Sequence, residues 1–375
     1  AGRADLCESY QMLDITSGKV EELSVRDYVI GAVCAEMPAT FEPEALKAQA
    51  VAAHTYAERQ HLLEQSHPTA ELCGADFSND SSQYQACFTE NQARQYYGDN
   101  FEASYAKITA AVDEVLPYVL EYDGTPIIAA FCSMSAGTTE SAETVWGSKV
   151  EYLVPVESEA DTSAPRYLET ASFTGKEFQA AVQDALPDAV WDTDMAKWVQ
   201  VGACSQSGTV LEVTVGGKTC SGQELRQMLG LRSAVFSVDV QDGKLVFTTK
   251  GYGHGVGMSQ HGAQWMAGQY SKKFDEILAF YYPGMVLMQG GTGAPVLPTV
   301  PPELAATPAP PATPTPKPTL MPVTTDSLPE GSKVMYVNAS SLNLRAEPSM
   351  VGELLMRLQA NQRVIVLEVC DDPEW

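Results

Sequence analysis

No apolar run in the 375-residue sequence approaches the ~20 residues that a membrane-spanning helix requires. Positive charge is scarce too. Lys and Arg number 23 against 48 Asp and Glu, for a net charge of −25. Such a surface repels nucleic-acid phosphates, so no nucleic-acid partner is expected. The eight cysteines include no C-x-x-C pair, so neither a zinc ribbon nor a thioredoxin-type redox site is signalled. The opening "AGRADLCESY" has no signal-peptide core, and export would rely on a signal or anchor removed ahead of it.

What is present is enough for two domains or more, with 45% hydrophobic residues, as in ordinary soluble proteins. One stretch cannot bury enough apolar surface to fold. Residues 291–331 hold about half of the 23 prolines and almost no aromatics, and are expected to form an extended spacer. The chain therefore divides into a body (1–290), a Pro/Thr-rich linker (291–331) and a short segment (332–375) that reads as strands joined by turns. That last segment has the pattern of a small β-barrel broken off at Trp375.

In the body, "PEALKAQAVAAHTYAERQHLLEQ" (43–65) predicts a helix with Pro43 in its first turn and Thr40 as a cap. Residues 96–116 keep a 3.6 period through Tyr97, Phe101, Tyr105, Ile108, Val112 and Val115, and Pro117 ends that helix. Hairpins are expected to turn at Asp123-Gly124, near Ser207-Gly208 and Gly216-Gly217, and at Asp242-Gly243. Helices before and between hairpins imply an α+β body. The sequence "GYGHGVGMSQHGA" (251–263) sets glycines at 251, 253, 255 and 257. Glycine at that density marks either a strand corner or the close approach of a ligand or another backbone.

Four blocks occur in a telling order: "SVRDYVIGAVCAEMPATFEPEALKAQAVAAHTYAERQ" (24–60), "SMSAGTTESAETVWGSKVEYLVPVESEAD" (133–161), "CSGQELRQMLGLRSAVF" (220–236) and the glycine stretch. Together they resemble the stage II sporulation protein D family over roughly residues 20–285. The segment with "VNASSLNLRAEPS" looks like a bacterial SH3-like wall-binding module.

The first resemblance implies a lytic transglycosylase acting on the glycan strands of peptidoglycan, with the Glu of E-M-P, here Glu36, as catalytic acid. Its small and apolar neighbours imply partial burial and a raised pKa, and a protonated carboxyl can give its proton to a glycosidic oxygen. The bland reading of Glu36 is a carboxylate at the N-terminus of the long helix.

Lys47 and His54, seven apart on one helix face beside Ala50 and Val51, are candidate substrate contacts. Family members tend to have Arg where His54 stands, and a lone helical His is also at home as a packed residue. One candidate wall of the groove is Ser133, Ser135, Gly137, Thr139 and Glu140. The other is Tyr252, His254, Gly255, Gly257, Met258, Ser259 and Gln260.

No cofactor is required. Some family members bind a structural zinc, for which His61, His67, Cys73 and Cys87 are the available side chains. A Cys73–Cys87 disulfide or buried thiols are the other readings, and Cys204 and Cys220 could cross-link their hairpin. Cys132 is assigned no catalytic role. The expected setting is extracytoplasmic and wall-associated, with glycan strands and other wall hydrolases or amidases as partners. Two rivals stand beside the transglycosylase. One is a non-catalytic enhancer of an amidase. The other is a water-using muramidase, whose second carboxylate would come from Glu140, Glu143 or Asp161.

Overall fold

The computed structural model describes residues 6–81 and 83–290, and beyond them only the backbone of short strands. Those at Lys333–Tyr336 and Arg363–Val366 pair antiparallel, as do Ser341–Arg345 and Leu354–Gln359. Most of the linker and barrel expected at 291–375 lies outside the described residues.

The body is α+β and holds two large cores and a small cluster of Leu13, Leu72 and Ala75. Its elements in chain order are β1 (Ser9–Asp14), β2 (Lys19–Ser24), α1 (Val25–Glu36), α2 (Pro43–Ser66), β3 (Phe77–Ser78), α3 (Glu90–Tyr97), α4 (Phe101–Val115), β4 (Tyr118–Tyr122), β5 (Thr125–Pro126), β6 (Phe131–Cys132) and α5 (Ala142–Trp146). There follow β7 (Leu168–Thr174), α6 (Gly175–Val182), β8 (Val199–Val201), β9 (Val213–Val215), β10 (Lys218–Cys220), α7 (Gly222–Leu229), β11 (Phe236–Gln241) and β12 (Lys244–Lys250). The series closes with β13 (Met258–Ser259), α8 (Gln260–Tyr270), α9 (Phe274–Tyr281), β14 (Val286–Gln289) and β15 (Pro295–Val296).

Helix α2 is the axis of the larger core. Every residue from Ala45 to Thr55 is buried, because its run of alanines lets α1, α4, α8 and α9 close on it from several sides. The smaller core belongs to the segment between β7 and β12. There Phe178 of α6, Leu225 of α7 and Val213 and Val215 of β9 pack on Phe236, Leu245 and Phe247 of the β11–β12–β7 sheet.

All four expected turns form, the one near Ser207-Gly208 between the bridged residues Cys204 and Val210. Asp123-Gly124, Gly216-Gly217 and Asp242-Gly243 all take positive φ, the geometry of a two-residue hairpin whose twist matches its strands. Two helix expectations need correction. Thr40 does not cap α2: the cap position is Glu42, held extended by the proline that follows, with no side-chain bond to the helix. The helix read over 96–116 is two helices, because Gly98 at φ +53° ends α3 and a new helix starts at Phe101. The cross-links are also absent, since Cys73, Cys87, Cys204 and Cys220 are all thiols. Cys87 is turned to the Tyr28 carbonyl while Cys73 is exposed.

Candidate active site

Glu36 is the last residue of α1, and so stands at the C-terminal end of a helix rather than the N-terminal end of one. There the helix dipole disfavours a negative charge. The segment 85–88 crosses α1: Phe88 N–H donates to the Gly31 carbonyl at 3.0 Å, and Tyr28 Oη donates to Gln85 Oε1 at 2.8 Å. A Cβ on Gly31 would collide with the Phe88 carbonyl and the Cys87 sulfur, so this crossing needs glycine there. The crossing desolvates Glu36 and raises its pKa, an effect that the Ala86 backbone N–H only partly offsets. No cation lies within ion-pair distance of Glu36 among the described residues, yet the side chain keeps partial contact with solvent.

Lys47 and His54 are turned inward. Lys47 Nζ meets Glu44 at 3.0 Å and Glu114 of α4 at 2.5 Å. His54 is 2% exposed, with Nε2 3.9 Å from Glu58 Oε1, and burial lowers its pKa. Glu58 in turn accepts from Tyr10 Oη at 2.9 Å and Cys7 N–H at 3.0 Å. The helix face that the sequence offered to a sugar is therefore covered by α4, β4 and the N-terminal strand. Ala50 and Val51 admit those neighbours and leave no groove.

The glycine segment runs beside residues 130–140. Tyr252 pairs with Met134, Val256 bridges Glu140, and β13 lies parallel to β6. Gly251, Gly253, Gly255 and Gly257 all have positive φ. At Gly257 a Cβ would be driven into the Ala130 carbonyl, and at Gly251 into that of Ser135. What approaches Gly251 and Gly257 is the protein's own backbone, and at Gly253 it is the Cys132 Cβ. Only Gly255 has ordinary room, 3.7 Å from the Glu140 Cβ.

Behind this pair of segments sits a buried polar hub. Asp161, 0% exposed, accepts from Ser135 N–H at 2.8 Å and Ser259 Oγ at 2.7 Å, and the Ser158 hydroxyl also bonds to it. Burial raises its pKa against those bonds. Ser259 caps α8 by accepting from Gly262 N–H, and Ser158 Oγ lies 2.8 Å from Tyr281 Oη. Thr139 accepts from Val156 N–H, and Met258 is buried in its strand. Ser135, Thr139, Met258 and Ser259 are thus frame rather than surface. Of the expected contacts, Ser133, Gly137, Tyr252, His254 and Gly255 reach solvent.

One seam joins this frame to the loop that follows Glu36. The Phe41 ring meets His261 edge-on at 5.3 Å, Glu42 N–H donates to Gln264 Oε1, and Gln260 Nε2 donates to Gln49 Oε1 at 3.3 Å. His261, missed from sequence, is the hinge of that seam, since its backbone N–H donates to the Ser133 carbonyl and its Nδ1 lies 3.1 Å from the same oxygen.

A polar recess of about 20 Å³ opens among Ser135, Glu140, Ser207, Gln223, Lys250 and His254. It has room for a water molecule and none for a sugar ring, which would have to lie across its rim. Glu140 is engaged there by Ser141 N–H and Ser205 Oγ. Burial, with Arg226 near by, lowers His254 to about 4, so the ring is neutral at pH 7.

The zinc side chains do not converge. His61 binds Asp76 at 2.8 Å, His67 meets Ser66, and no three His, Cys, Asp or Glu side chains gather as a metal cluster among the described residues. No helix among those residues is long and apolar enough to cross a membrane.

Fold and site together define a helix-centred α+β body with a part-buried carboxyl at the end of α1 and a glycine-laced segment whose following helix meets the loop after Glu36 through Phe41–His261 and Glu42–Gln264. A family model described as "Stage II sporulation protein" matches residues 15–122. Stage II sporulation protein D of Bacillus subtilis (strain 168) is 38% identical over 265 residues, 71% of this chain and 74% of that protein. The amidase enhancer of the same organism is 28% identical over 308 residues, 68% of this chain and 40% of that protein. An uncharacterized protein of Brachyspira hyodysenteriae is 32% identical over 269 residues. The chain belongs to the stage II sporulation protein D family.

Proposed function

We infer that the protein is a peptidoglycan lytic transglycosylase in which Glu36 is the general acid and then the general base. The observation that carries this reading is the state of Glu36: raised in pKa by burial, without a cation, and open to solvent. Such a carboxyl holds its proton toward neutral pH and can pass it to the glycosidic oxygen between MurNAc and GlcNAc. Glu36 then removes the proton of the muramic 6-hydroxyl as that oxygen attacks C1, which closes a 1,6-anhydro ring. No second carboxylate is needed. This also fits the site, because Asp161 is sealed in the serine hub and Glu140 is engaged by Ser141 and Ser205. A water-using muramidase would have to draw on one of them, or on Glu143, exposed on α5.

The setting that goes with this activity is the cell wall outside the cytoplasm, in wall remodelling and sporulation. The strand pairs beyond residue 332 and the resemblance of "VNASSLNLRAEPS" support an SH3-like wall-binding module there. The likeness to an amidase enhancer favours a second reading, a partner that stimulates a wall amidase without cutting glycan. Mass spectrometry of digested peptidoglycan separates the three. Anhydromuramic ends that vanish in Glu36→Gln support the transglycosylase, and reducing ends indicate a hydrolase. No cleavage, with stimulation of an added amidase, indicates the enhancer.

A further inference from the structure

Trp146 ends the short helix α5 and stays 45% exposed, although its ring lies 5.4 Å from that of His254. Two residues before His254, Tyr252 is 46% exposed and carries the Arg232 guanidinium 4.2 Å over its ring. Arg226 of α7 stands at the edge of the recess, bonded to Gln223, which lines it together with His254. Its Nε donates to the Leu231 carbonyl and one terminal nitrogen to Gln223 Oε1, both neutral acceptors.

In a chain with twice as many acids as bases, the usual fate of an arginine is a carboxylate partner. Arg26, Arg94, Arg166 and Arg232 each have one. Arg226 has none among the described residues, and Arg59, the other exception, lies beside Leu62 and Pro126 on a different surface. Glu140 forms no ion pair with Arg226, and its oxygens are bonded by Ser141 and Ser205.

We propose that Trp146, Tyr252 and Arg226 form a subsite for a carboxylate-bearing sugar residue of the glycan, separate from the acid at Glu36. The inference takes the identity of its ligand from the function proposed above. The C–H face of a pyranose stacks on the exposed indole and phenol, which are large, rigid and only partly wet. The carboxylate supplies the charge that Arg226 lacks, in the forked geometry a guanidinium favours. Two parts of peptidoglycan carry that chemistry: the lactyl group of a peptide-free muramic acid and the acids of a stem peptide.

The test measures binding by calorimetry to the full chain carrying Glu36→Gln, so that no probe is consumed. The probes are chitotetraose, which has no carboxylate, and a GlcNAc–MurNAc tetrasaccharide with and without stem peptides. Trp146→Ala is expected to weaken all three roughly threefold to tenfold, and Trp146→Phe to restore most of the loss. Arg226→Gln is expected to spare chitotetraose and to weaken carboxylate-bearing glycan about tenfold or more. A loss confined to the peptide-free probe assigns the lactyl group, and one confined to the peptide-bearing probe assigns the stem.

Unchanged melting temperatures exclude misfolding as the cause, and Arg226→Lys retaining part of the affinity supports a charge contact. Parent-like binding of every probe by Trp146→Ala and Arg226→Gln overturns the subsite, as does failure of the parent to bind any probe. If the losses appear but the unsubstituted protein yields no anhydromuramic ends, the subsite stands and the catalytic reading falls.

Discussion

Among the described residues two carboxyl groups are pushed up by burial, and they have opposite fates. Asp161 is sealed within the serine hub, and its oxygens are occupied by donors from three separate segments. Glu36 sits at a helix end under a crossing segment, with one backbone donor and part of its surface open. Desolvation alone therefore does not mark a catalytic acid. What separates the two is hydrogen-bonding capacity, consumed by architecture in the hub and largely unspent at the helix end.

The sharpest way to break this comparison is to neutralise both groups. Glu36→Gln is expected to lower glycan cleavage about 10²- to 10⁴-fold, the usual share of general acid catalysis, with the fold intact. Because the folded pKa of Glu36 is raised, ionising it costs stability as pH rises through the unfolded value. The glutamine variant should therefore melt no lower than the parent at neutral pH. Cleavage by the parent should decline on the alkaline side as Glu36 loses its proton, a trend that kcat/KM against pH would display. A Glu36→Gln enzyme that cuts as fast as the parent would erase the distinction.

Next in size is Gly257→Ala, which combines a φ of +74° with collision against the Ala130 carbonyl. A loss of about 3 kcal/mol or more in denaturant unfolding is expected. Asp161→Asn should cost about 2–3 kcal/mol by mispairing the hub. It should also leave the pH dependence of any remaining activity unchanged, and a displaced profile would make Asp161 part of the chemistry.

The smallest effect concerns His54. Its folded pKa is lowered, so its contribution is complete above the unfolded value near 6.5 and is lost as pH falls below it, when the unfolded chain takes up a proton that the fold refuses. The melting temperature should fall from pH 7 to pH 5 in the parent and fall less in His54→Gln.

Local chemistry was legible in the sequence. Asp-Gly and Gly-Gly pairs turned their hairpins because few other residues accept that backbone, and an alanine-rich stretch became a buried helix. Which face of that helix is open was not legible. The seven-residue spacing of Lys47 and His54 places them together but does not say that α4 and β4 lie against them. The break at Gly98 was missed because hydrophobic periodicity ran across it. Glycine density alone does not distinguish a strand corner from the approach of a ligand or of backbone, and at Gly251 and Gly257 the approaching group is backbone 120 or so residues earlier in the chain. The seam at His261 and the crossing of α1 by residues 85–88 rest on contacts between distant segments, and no local pattern encodes these.

The hub also imposes an order in time. Asp161 reaches back 26 residues to Ser135 and forward 98 to Ser259, and Ser158 meets Tyr281 another 123 residues along. Contacts of that span form late, after the loops between them have been closed. As the chain emerges from its N-terminus, Glu36 and its helix come out first, while the glycine wall can be completed only once residue 281 is free. Until then a growing chain carries Glu36 without the folded glycine segment, so the candidate site is complete only at the end of folding.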